Sequence, residues 1–346
     1  MRRTLLVALA AVAGSAALAA FAFAAPQSSG YHLIKKVVLG GEGAWDYLSV
    51  DSDTHHVYIS RGSHLMVVDA DGTLVGDIMG LKGTHGAALA PDLGRGYSSN
   101  GQSNSVTIFD LKTLQVIKEV PLPAAMAPDG YLYDKASKRM FTFNARSMDA
   151  TAVDAQSGEV VGTVPLGGKP ETAQADGAGH VYVNVEDKNQ ILEFDAKTLQ
   201  VMNTWPSDGC DSPAGLAIDV AHKRLFVGCR NKVMTVVDAT NGKTVASIPI
   251  GTLVDSNWFD PATGLAFASC GDGTIYVTHE DSPDKYTVVD TIKTQNGART
   301  MTLDTKNHNL YTVAVDQTPA AAPTEQNPRP RPQTVPNSFT LLIYGK

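Results

Sequence analysis

Apolar and polar residues alternate along much of this chain in short runs, which are separated by Gly, Pro, Asn and Asp. A clear example is the run Val-Tyr-Val-Asn at positions 181–184. A two-residue period is typical of half-buried β-strands, whereas an amphipathic helix repeats every 3.6 residues. The pattern therefore predicts many short strands and almost no helix.

A short motif recurs every 41 to 44 residues and consists of an apolar residue, an Asp and a small or apolar residue. Its copies are Val68-Asp69-Ala70, Phe109-Asp110-Leu111, Val153-Asp154-Ala155, Phe194-Asp195-Ala196 and Val237-Asp238-Ala239. A fixed period of this length is typical of a β-propeller, in which each repeat forms one four-stranded blade. We expect one such architecture to extend over most of the chain.

Each repeat supplies four predicted strands, a to d. Strand a ends in an Asp, strand b carries an aromatic residue, strand c ends in the Asp of the motif, and strand d is the outer strand. The strand b aromatics are Tyr58, Tyr97, Phe141, Tyr182, Phe226, Phe267 and Tyr311. Counting them predicts an all-β, seven-bladed propeller with four-stranded antiparallel blades.

The two ends of the repeat region are incomplete in complementary ways. Residues 33–40 match strand d alone, whereas the last unit has strands a (300–304), b (309–314) and c (339–344) but no d. Joining them would complete the last blade and remove two open sheet edges, which otherwise promote aggregation. We expect the N-terminal strand to close the last blade.

On these repeat residues, the chain resembles the YVTN-repeat family of exported bacterial seven-bladed propellers over residues 31–346. The resemblance implies the fold and export, but it implies no reaction, because the family has no settled common activity. This family is similar to lactonase-like propellers and to the haem-binding propeller of nitrite reductase. A fold alone does not define a function.

Residues 1–24 resemble a secretory signal peptide. Arg2 and Arg3 precede an apolar run, and an Ala22-x-Ala24 pattern follows it. We expect cleavage and a periplasmic or secreted protein with no membrane span afterwards; an uncleaved anchor is the alternative.

A Pro-rich segment at 318–336 interrupts the last repeat. It is either a solvated loop or, through Arg329 and Arg331, a partner-docking loop.

The net charge is −7, and cleavage of the leader would remove two arginines and no acidic residue. An acidic surface does not attract nucleic acid or anionic lipid broadly. We therefore expect no broad binding to nucleic acid. The expected partners are a small polar molecule or a cell-envelope protein, and the expected oligomeric state is a monomer.

Candidate site residues emerge when the repeats are aligned on the Asp that ends strand a. Five positions before that Asp, carboxylates recur, and they should meet at one mouth of the central channel. The residues at this position are Asp46, Ala87, Asp129, Glu171, Ala214, Asp255 and Arg299. Clustered carboxylates bind a cation, pair with arginine or have shifted pKa values. Asp46, Asp129, Glu171 and Asp255 are thus candidate ligands of a divalent cation such as calcium, although simple hydration of a polar mouth is the alternative.

Further candidates lie beside this ring. Trp45 and His85 could add an aromatic surface and a general base. The ends of strands b form a second, mixed polar ring made of Arg61, Asn100, Asn144, Val185, Cys229, Cys270 and Ala314, with Arg230 in an adjoining loop. Arg61, Asn144 and Arg230 are therefore candidate ligand contacts.

Three cysteines map to the same face. In an oxidising compartment one disulfide and one spare thiol are expected. Cys210 with Cys229 is the preferred pair because both belong to one blade, and Cys229 with Cys270 is the alternative.

The functional prediction is a binding module for a small polar ligand, a cation or a cell-envelope partner. Signatures of zinc proteases, serine hydrolases and P-loop enzymes are absent from the sequence. The alternative is a lactonase- or lyase-type propeller enzyme that uses His85 and the mouth carboxylates. The cofactor is unknown; a divalent cation is a candidate, and haem is not expected.

Overall fold

A computed structural model describes residues 28–41, 43–320, 324 and 332–346. The predicted signal peptide at 1–24 lies outside the described residues, as do Arg329 and Arg331 of the Pro-rich segment. The described flanks of that segment are joined by an isolated bridge between Gln317 and Thr334 and by a 2.8 Å hydrogen bond from Thr318 N to Gln333 O.

The described residues are all-β, with 58% in strands and 2% in helix. Helix is limited to two single 3-10 turns, Pro91–Leu93 and Glu186–Lys188. The strands are β1 His32–Val38, β2 Leu48–Asp51, β3 His56–Ser60, β4 Gly62–Val68, β5 Leu74–Ala90, β6 Arg95–Asn100, β7 Ser105–Asp110, β8 Val116–Pro121, β9 Pro128–Asp134, β10 Arg139–Asn144, β11 Asp149–Asp154, β12 Val160–Pro165, β13 Pro170–Ala175, β14 His180–Val185, β15 Gln190–Asp195, β16 Val201–Pro206, β17 Pro213–Asp219, β18 Arg224–Cys229, β19 Val233–Asp238, β20 Thr244–Pro249, β21 Val254–Asp260, β22 Leu265–Cys270, β23 Thr274–Ser282, β24 Lys285–Lys293, β25 Met301–Leu303, β26 Leu310–Ala314 and β27 Thr340–Gly345.

These strands form six antiparallel sheets of four to seven strands. Four sheets are simple meanders, β9 to β12, β13 to β16, β17 to β20 and β21 to β24. The strands from β2 to β8 make one seven-stranded sheet because the 17-residue β5 pairs with β4 through its first part and with β6 through its second.

The sixth sheet contains both ends of the repeat region. Its order is β1-β27-β26-β25, and β1 pairs antiparallel with β27. The observed β1 matches the predicted isolated strand d, and the observed β25 to β27 match predicted strands a, b and c within one or two residues. The N-terminal strand therefore occupies the outer edge of the C-terminal sheet.

The recurring Asp of the motif has a local structural role. In all five copies its Oδ1 accepts at least one backbone N–H bond from the loop that follows, for example from Lys112 and Thr113 onto Asp110 at 3.0 and 2.7 Å. Asp154 and Asp195 hold their loops in the same way. A side chain that satisfies its own turn backbone fixes the connection between strands c and d.

Hydrophobic core lies between successive sheets, where one face of each packs on the next. Phe141 of β10 meets Phe194 of β15 edge to face at 5.3 Å, and Phe226 of β18 stacks on Phe259 of β21 at 5.1 Å. Each of these buried rings adds roughly 1.5–3 kcal/mol of hydrophobic stabilisation. The strands that begin the successive repeats also contact one another in chain order. The series runs from β2 to β5, β9, β13, β17, β21 and β25, and β25 contacts β2.

Candidate functional site

The predicted carboxylate ring lies where the first strand of each unit begins. Asp129, Glu171 and Asp255 are each the second residue of β9, β13 and β21, and Asp46 and Arg299 lie two residues before β2 and β25. These strands are neighbours, so their side chains converge. The negative charges of all four carboxylates raise the pKa of Tyr47, after burial, which is the largest cause.

His85 lies between two of these carboxylates. Its Nδ1 is 2.7 Å from Oδ2 of Asp46 and 3.2 Å from Oδ1 of Asp129. Burial alone would lower the pKa of His85, but the hydrogen bond with Asp46 and the charges of Asp129 and Asp46 outweigh burial, so that this pKa is raised. The three side chains offer ligand atoms that all lie within 4.8 Å of one another.

Two mouth carboxyls hold protons unusually strongly. Burial raises the pKa of Asp129 to about 6, with Asp46 adding to the rise and His85 opposing it. Burial raises the pKa of Glu171 to about 8, and the charge of Asp129 adds to the rise while Lys169 opposes it. Oδ1 of Asp129 is buried and accepts no hydrogen bond. The site thus has an acceptor that a ligand could satisfy.

Asp255, by contrast, has partners within the protein. Arg230 Nη2 donates to Asp255 Oδ1 at 2.7 Å, and Arg299 Nε donates to Asp255 Oδ2 at 2.6 Å. Burial raises the pKa of Asp255 even though both arginines oppose the rise. The structure therefore groups Arg230, Arg299 and Asp255 as an internal clamp across three sheets.

Lys169 and Glu186 complete the charged mouth, although the sequence analysis did not single them out. Lys169 Nζ is 3.4 Å from Glu171 and also pairs with Glu186, which accepts a hydrogen bond from Ser212 Oγ at 3.1 Å. Lys169 precedes Glu171 by two residues in the turn that leads into β13. This two-residue spacing could have identified Lys169 from the sequence, since a lysine so placed can reach the carboxylate of Glu171.

Three predicted contacts lie in the blade packing instead. The Arg61 guanidinium stacks 3.7 Å from the ring centroid of Phe339 and donates to Gly40 O at 3.0 Å. Trp45 also packs on Phe339, with the ring centroids 5.5 Å apart. Asn144 is fully buried and donates to Asp149 and Thr151. Arg61 and Asn144 thus donate hydrogen bonds inward, and Trp45 is held by ring packing, so these side chains stabilise the surrounding loops.

Below the mouth, a cavity of about 250 Å³ runs between the first strands. Tyr47 and Tyr131 line it, and their rings meet edge to face at 5.7 Å. The Tyr131 hydroxyl lies 2.7 Å from Ser49 Oγ. The lining of this cavity therefore includes aromatic rings with polar tips among mostly small and aliphatic residues.

The cysteines form one disulfide in the described chain. Cys210 and Cys229 are bonded, with their Cα atoms 5.3 Å apart, and Cys270 is a buried free cysteine. The bonded pair is the one that the sequence analysis preferred. Cys229 and Cys270 occupy equivalent positions, at the ends of β18 and β22. They differ because Cys229 is bonded to Cys210, whereas Cys270 is free.

The chain was compared with known proteins. No protein-family model matches it. It is 24% identical over 215 residues to "Uncharacterized protein YncE" of Salmonella typhi, and the match covers 59% of this chain and 59% of that protein. The matched region therefore spans less than two thirds of the relative's length.

Several solved structures share the fold. A chain of "Kuenenia stuttgartiensis Hydrazine Synthase" superposes with a TM-score of 0.67 at 16% identity, covering 77% of this chain and 91% of that one. A chain of "Crystal Structure of Mitotic Checkpoint Complex" gives 0.72 at 12% identity with 99% coverage of both chains. "Structure of U3-55K" gives 0.72 at 10% identity, with 92% and 99% coverage. At these identities the likeness shows the fold alone. Together, the repeat, the antiparallel sheets and the YncE match support a YVTN-type β-propeller.

Proposed function

We propose that this protein is an exported seven-bladed β-propeller that binds a small polar ligand at the mouth of its central channel. Seven units follow if β5 is counted twice, once as the outer strand beside β4 and once as the inner strand beside β6. Gly80 and Gly83 have positive φ between those two parts, where the strand must turn from one unit into the next. The succession of first-strand contacts that returns to β2 supports the same count.

The observation that carries the binding proposal is the Asp129 carboxyl. It lies at the mouth, with one buried oxygen that accepts no hydrogen bond and with His85 and Asp46 beside it. His85 Nδ1 lies 3.2 Å from this oxygen but is closer to Asp46, at 2.7 Å. A buried polar atom without a hydrogen bond costs roughly 1–3 kcal/mol, and a ligand that donates one would recover this cost. The site therefore favours ligands with amine or hydroxyl donors, or a cation, over apolar ligands.

The surrounding charges narrow the binding position. Asp255 is paired with two arginines, and Glu171 is near Lys169. Asp46, His85 and Asp129 remain as the mouth residues whose ligand atoms all lie within 4.8 Å of one another. For a cation, His85 would contribute a neutral Nδ1 and the two carboxylates one oxygen each; for an amine or polyol, the carboxylates would accept its donors.

No helix among the described residues is long and apolar enough to cross a membrane. Export to the periplasm or medium rests on the leader pattern at residues 1–24. An exported protein of this kind would meet small envelope solutes, or an envelope protein that inserts a polar side chain into the same mouth.

Thermal unfolding with a panel of divalent cations, amines, sugars and lactones tests this proposal. A ligand at a hundred times its Kd adds about 2.7 kcal/mol to stability, which raises Tm measurably. We expect such a shift in the unmodified protein and its loss in Asp129→Asn. Asp71→Asn, at an exposed carboxylate, should keep the shift. A shift that survives Asp129→Asn, or the lack of any shift, would contradict binding at this site.

A second candidate function is catalysis with His85 as an acid or base. The position of His85 between two carboxylates, whose hydrogen bond and charges raise its pKa against the effect of burial, is the observation in its favour, because a positioned histidine can transfer protons. Turnover of lactones or uronides that disappears in His85→Ala would favour this enzyme over the binding module.

A further inference from the structure

A second group of metal-binding side chains lies at the other end of the sheets from the channel mouth. Asp219 ends β17, His222 follows in the turn before β18, and Glu280 lies in β23 of the next sheet. Nδ1 of His222 is 2.6 Å from Oδ2 of Asp219 and 3.3 Å from Oε1 of Glu280. The three ligand atoms lie within 4.8 Å of one another.

Glu280 reaches this corner because its hairpin is longer than the others in the meander sheets. β23 and β24 have nine residues each, whereas β19 and β20 of the preceding sheet have six. The extension is anchored to the neighbouring turn by Arg224, whose Nε donates to Pro283 O at 2.8 Å and whose Nη2 donates to Asp284 at 2.9 Å. The cluster is therefore held between two sheets on fixed strand ends.

The two carboxylates are buried and only partly compensated. The side chains of Asp219 and Glu280 are each 3% exposed, and neither oxygen of Glu280 accepts a hydrogen bond. Asp219 is already oriented, because its Oδ1 accepts the Ala221 N–H at 3.0 Å and leaves Oδ2 facing His222. A buried carboxylate without hydrogen bonds costs several kcal/mol unless a cation or a proton neutralises it.

Equivalent turns elsewhere in the fold provide a comparison. His308 is 2.8 Å from Asp260, and His55 contacts Asp304. Each of these histidines reaches the Asp that ends the first strand of the neighbouring sheet, whereas His222 contacts Asp219 of its own turn. Neither of these described corners forms a three-ligand group. A histidine beside the Asp of a strand end thus recurs in the fold. The Asp219 corner differs because its histidine lies in the same turn as the Asp and because Glu280 adds a third ligand.

We propose that Asp219, His222 and Glu280 bind a divalent transition-metal ion, with zinc as the best match. Imidazole and carboxylate ligands suit zinc, which binds them at about 2.0–2.2 Å, so neighbouring ligand atoms of a tetrahedral site are about 3.4 Å apart. The 3.3 Å separation already fits, and the 2.6 Å separation needs to lengthen by less than about 1 Å. Calcium fits less well because it prefers oxygen ligands throughout.

The proposed site has three protein ligands and one open side. The His222 side chain is half exposed, so that water or an external donor can reach the fourth position of the metal. Because its ligands come from two neighbouring sheets, the metal would also bridge them. Arg224 does not replace the metal here, since its hydrogen bonds go to Pro283, Asp284 and carbonyls of its own turn.

Zinc titration against a chromogenic chelator tests this site, beginning with the metal-free protein. We expect one zinc ion bound at this site and at least about tenfold weaker binding there in Glu280→Gln, a loss of 1.4 kcal/mol or more. His222→Ala changes a half-exposed side chain and gives a second variant if Glu280→Gln folds poorly. With cobalt as the probe, the unmodified protein should show the visible absorption bands of a bound tetrahedral ion, and both variants should lose them.

Two control variants locate the metal. His308→Ala removes a histidine from the matching turn, and Asp129→Asn alters the channel mouth; both should bind zinc at this site as the unmodified protein does. Zinc binding that persists in Glu280→Gln and His222→Ala but is lost in Asp129→Asn would place the metal at the mouth and overturn the proposal. Failure of the unmodified protein to bind zinc or cobalt would also overturn it.

Discussion

Replacing Glu171 with glutamine is expected to make the protein more stable at pH 8 and to flatten its dependence of stability on pH. Burial and the charge of Asp129 raise the pKa of Glu171 from 4.5 to about 8. Between those two values the folded protein holds a proton that the unfolded chain has released. Stability therefore falls as the pH rises through this window.

The expected size of this change in stability follows from the shift in the pKa of Glu171. One pKa unit corresponds to about 1.4 kcal/mol, and the Glu171 side chain is 13% exposed, so solvent screening is limited. We expect the free energy of unfolding of the unmodified protein to fall by on the order of 3 kcal/mol between pH 5 and pH 8. In Glu171→Gln most of this decrease should be absent. Denaturant unfolding at a series of pH values measures both.

Glu159→Gln is the matched control, because Glu159 is an exposed carboxyl in a loop. It should leave the pH profile unchanged. Asp129→Asn should remove a smaller part of the dependence, over a window that ends near pH 6, because burial raises the pKa of Asp129 to about 6. If the stability of Glu171→Gln changed with pH in parallel with that of the unmodified protein, Glu171 would be ionised in the folded protein between pH 5 and pH 8, and the prediction would be wrong.

Loss of the disulfide is the second large expected effect. Cys210→Ala combined with Cys229→Ala opens a cross-link between residues 19 apart in sequence. In the chain-entropy description, a loop of this length stabilises the folded protein by about 3 kcal/mol. Denaturant unfolding under non-reducing conditions should show this loss as a lower midpoint.

Cys270→Ala provides the comparison at the equivalent strand end, where the cysteine is buried but unbonded. It should cost about 1 kcal/mol, from the removal of one buried sulfur atom. Reductant should lower the midpoint of the unmodified protein and leave the double variant unchanged. Equal midpoints for the double variant and Cys270→Ala would show that the cross-link adds nothing to stability.

The sequence predicted the strands well because the fold repeats. The Asp of each motif accepts hydrogen bonds from its own turn, and aromatic residues pack between sheets. Each repeat therefore forms its strands through the same local interactions. The complementary ends likewise predicted the pairing of β1 with the C-terminal sheet. The unbroken β5 was not predicted, since nothing in the two-residue period distinguishes a long bent strand from two short ones.

The candidate site was predicted only in part. Alignment on strand a identified Asp46, Asp129 and Glu171 because equivalent positions share a place in every unit. It could not give the partners: the pairing of Asp255 with Arg230 and Arg299 depends on side-chain reach across three sheets. For the same reason it missed that Arg61 and Asn144 bond inward. The Asp219 corner depends on the length of a hairpin in another unit, which the repeat period does not encode.

The pairing of β1 with β27 has a consequence for how the molecule assembles. β1 is the first described strand and β27 the last, so the sheet that contains them cannot be completed until the chain has been synthesised through β27. Contacts between such distant residues form slowly because a long loop must close first. Until then the free edge of β27 can accept the β1 strand of a second molecule, and at high concentration strand-exchanged dimers would compete with the monomer.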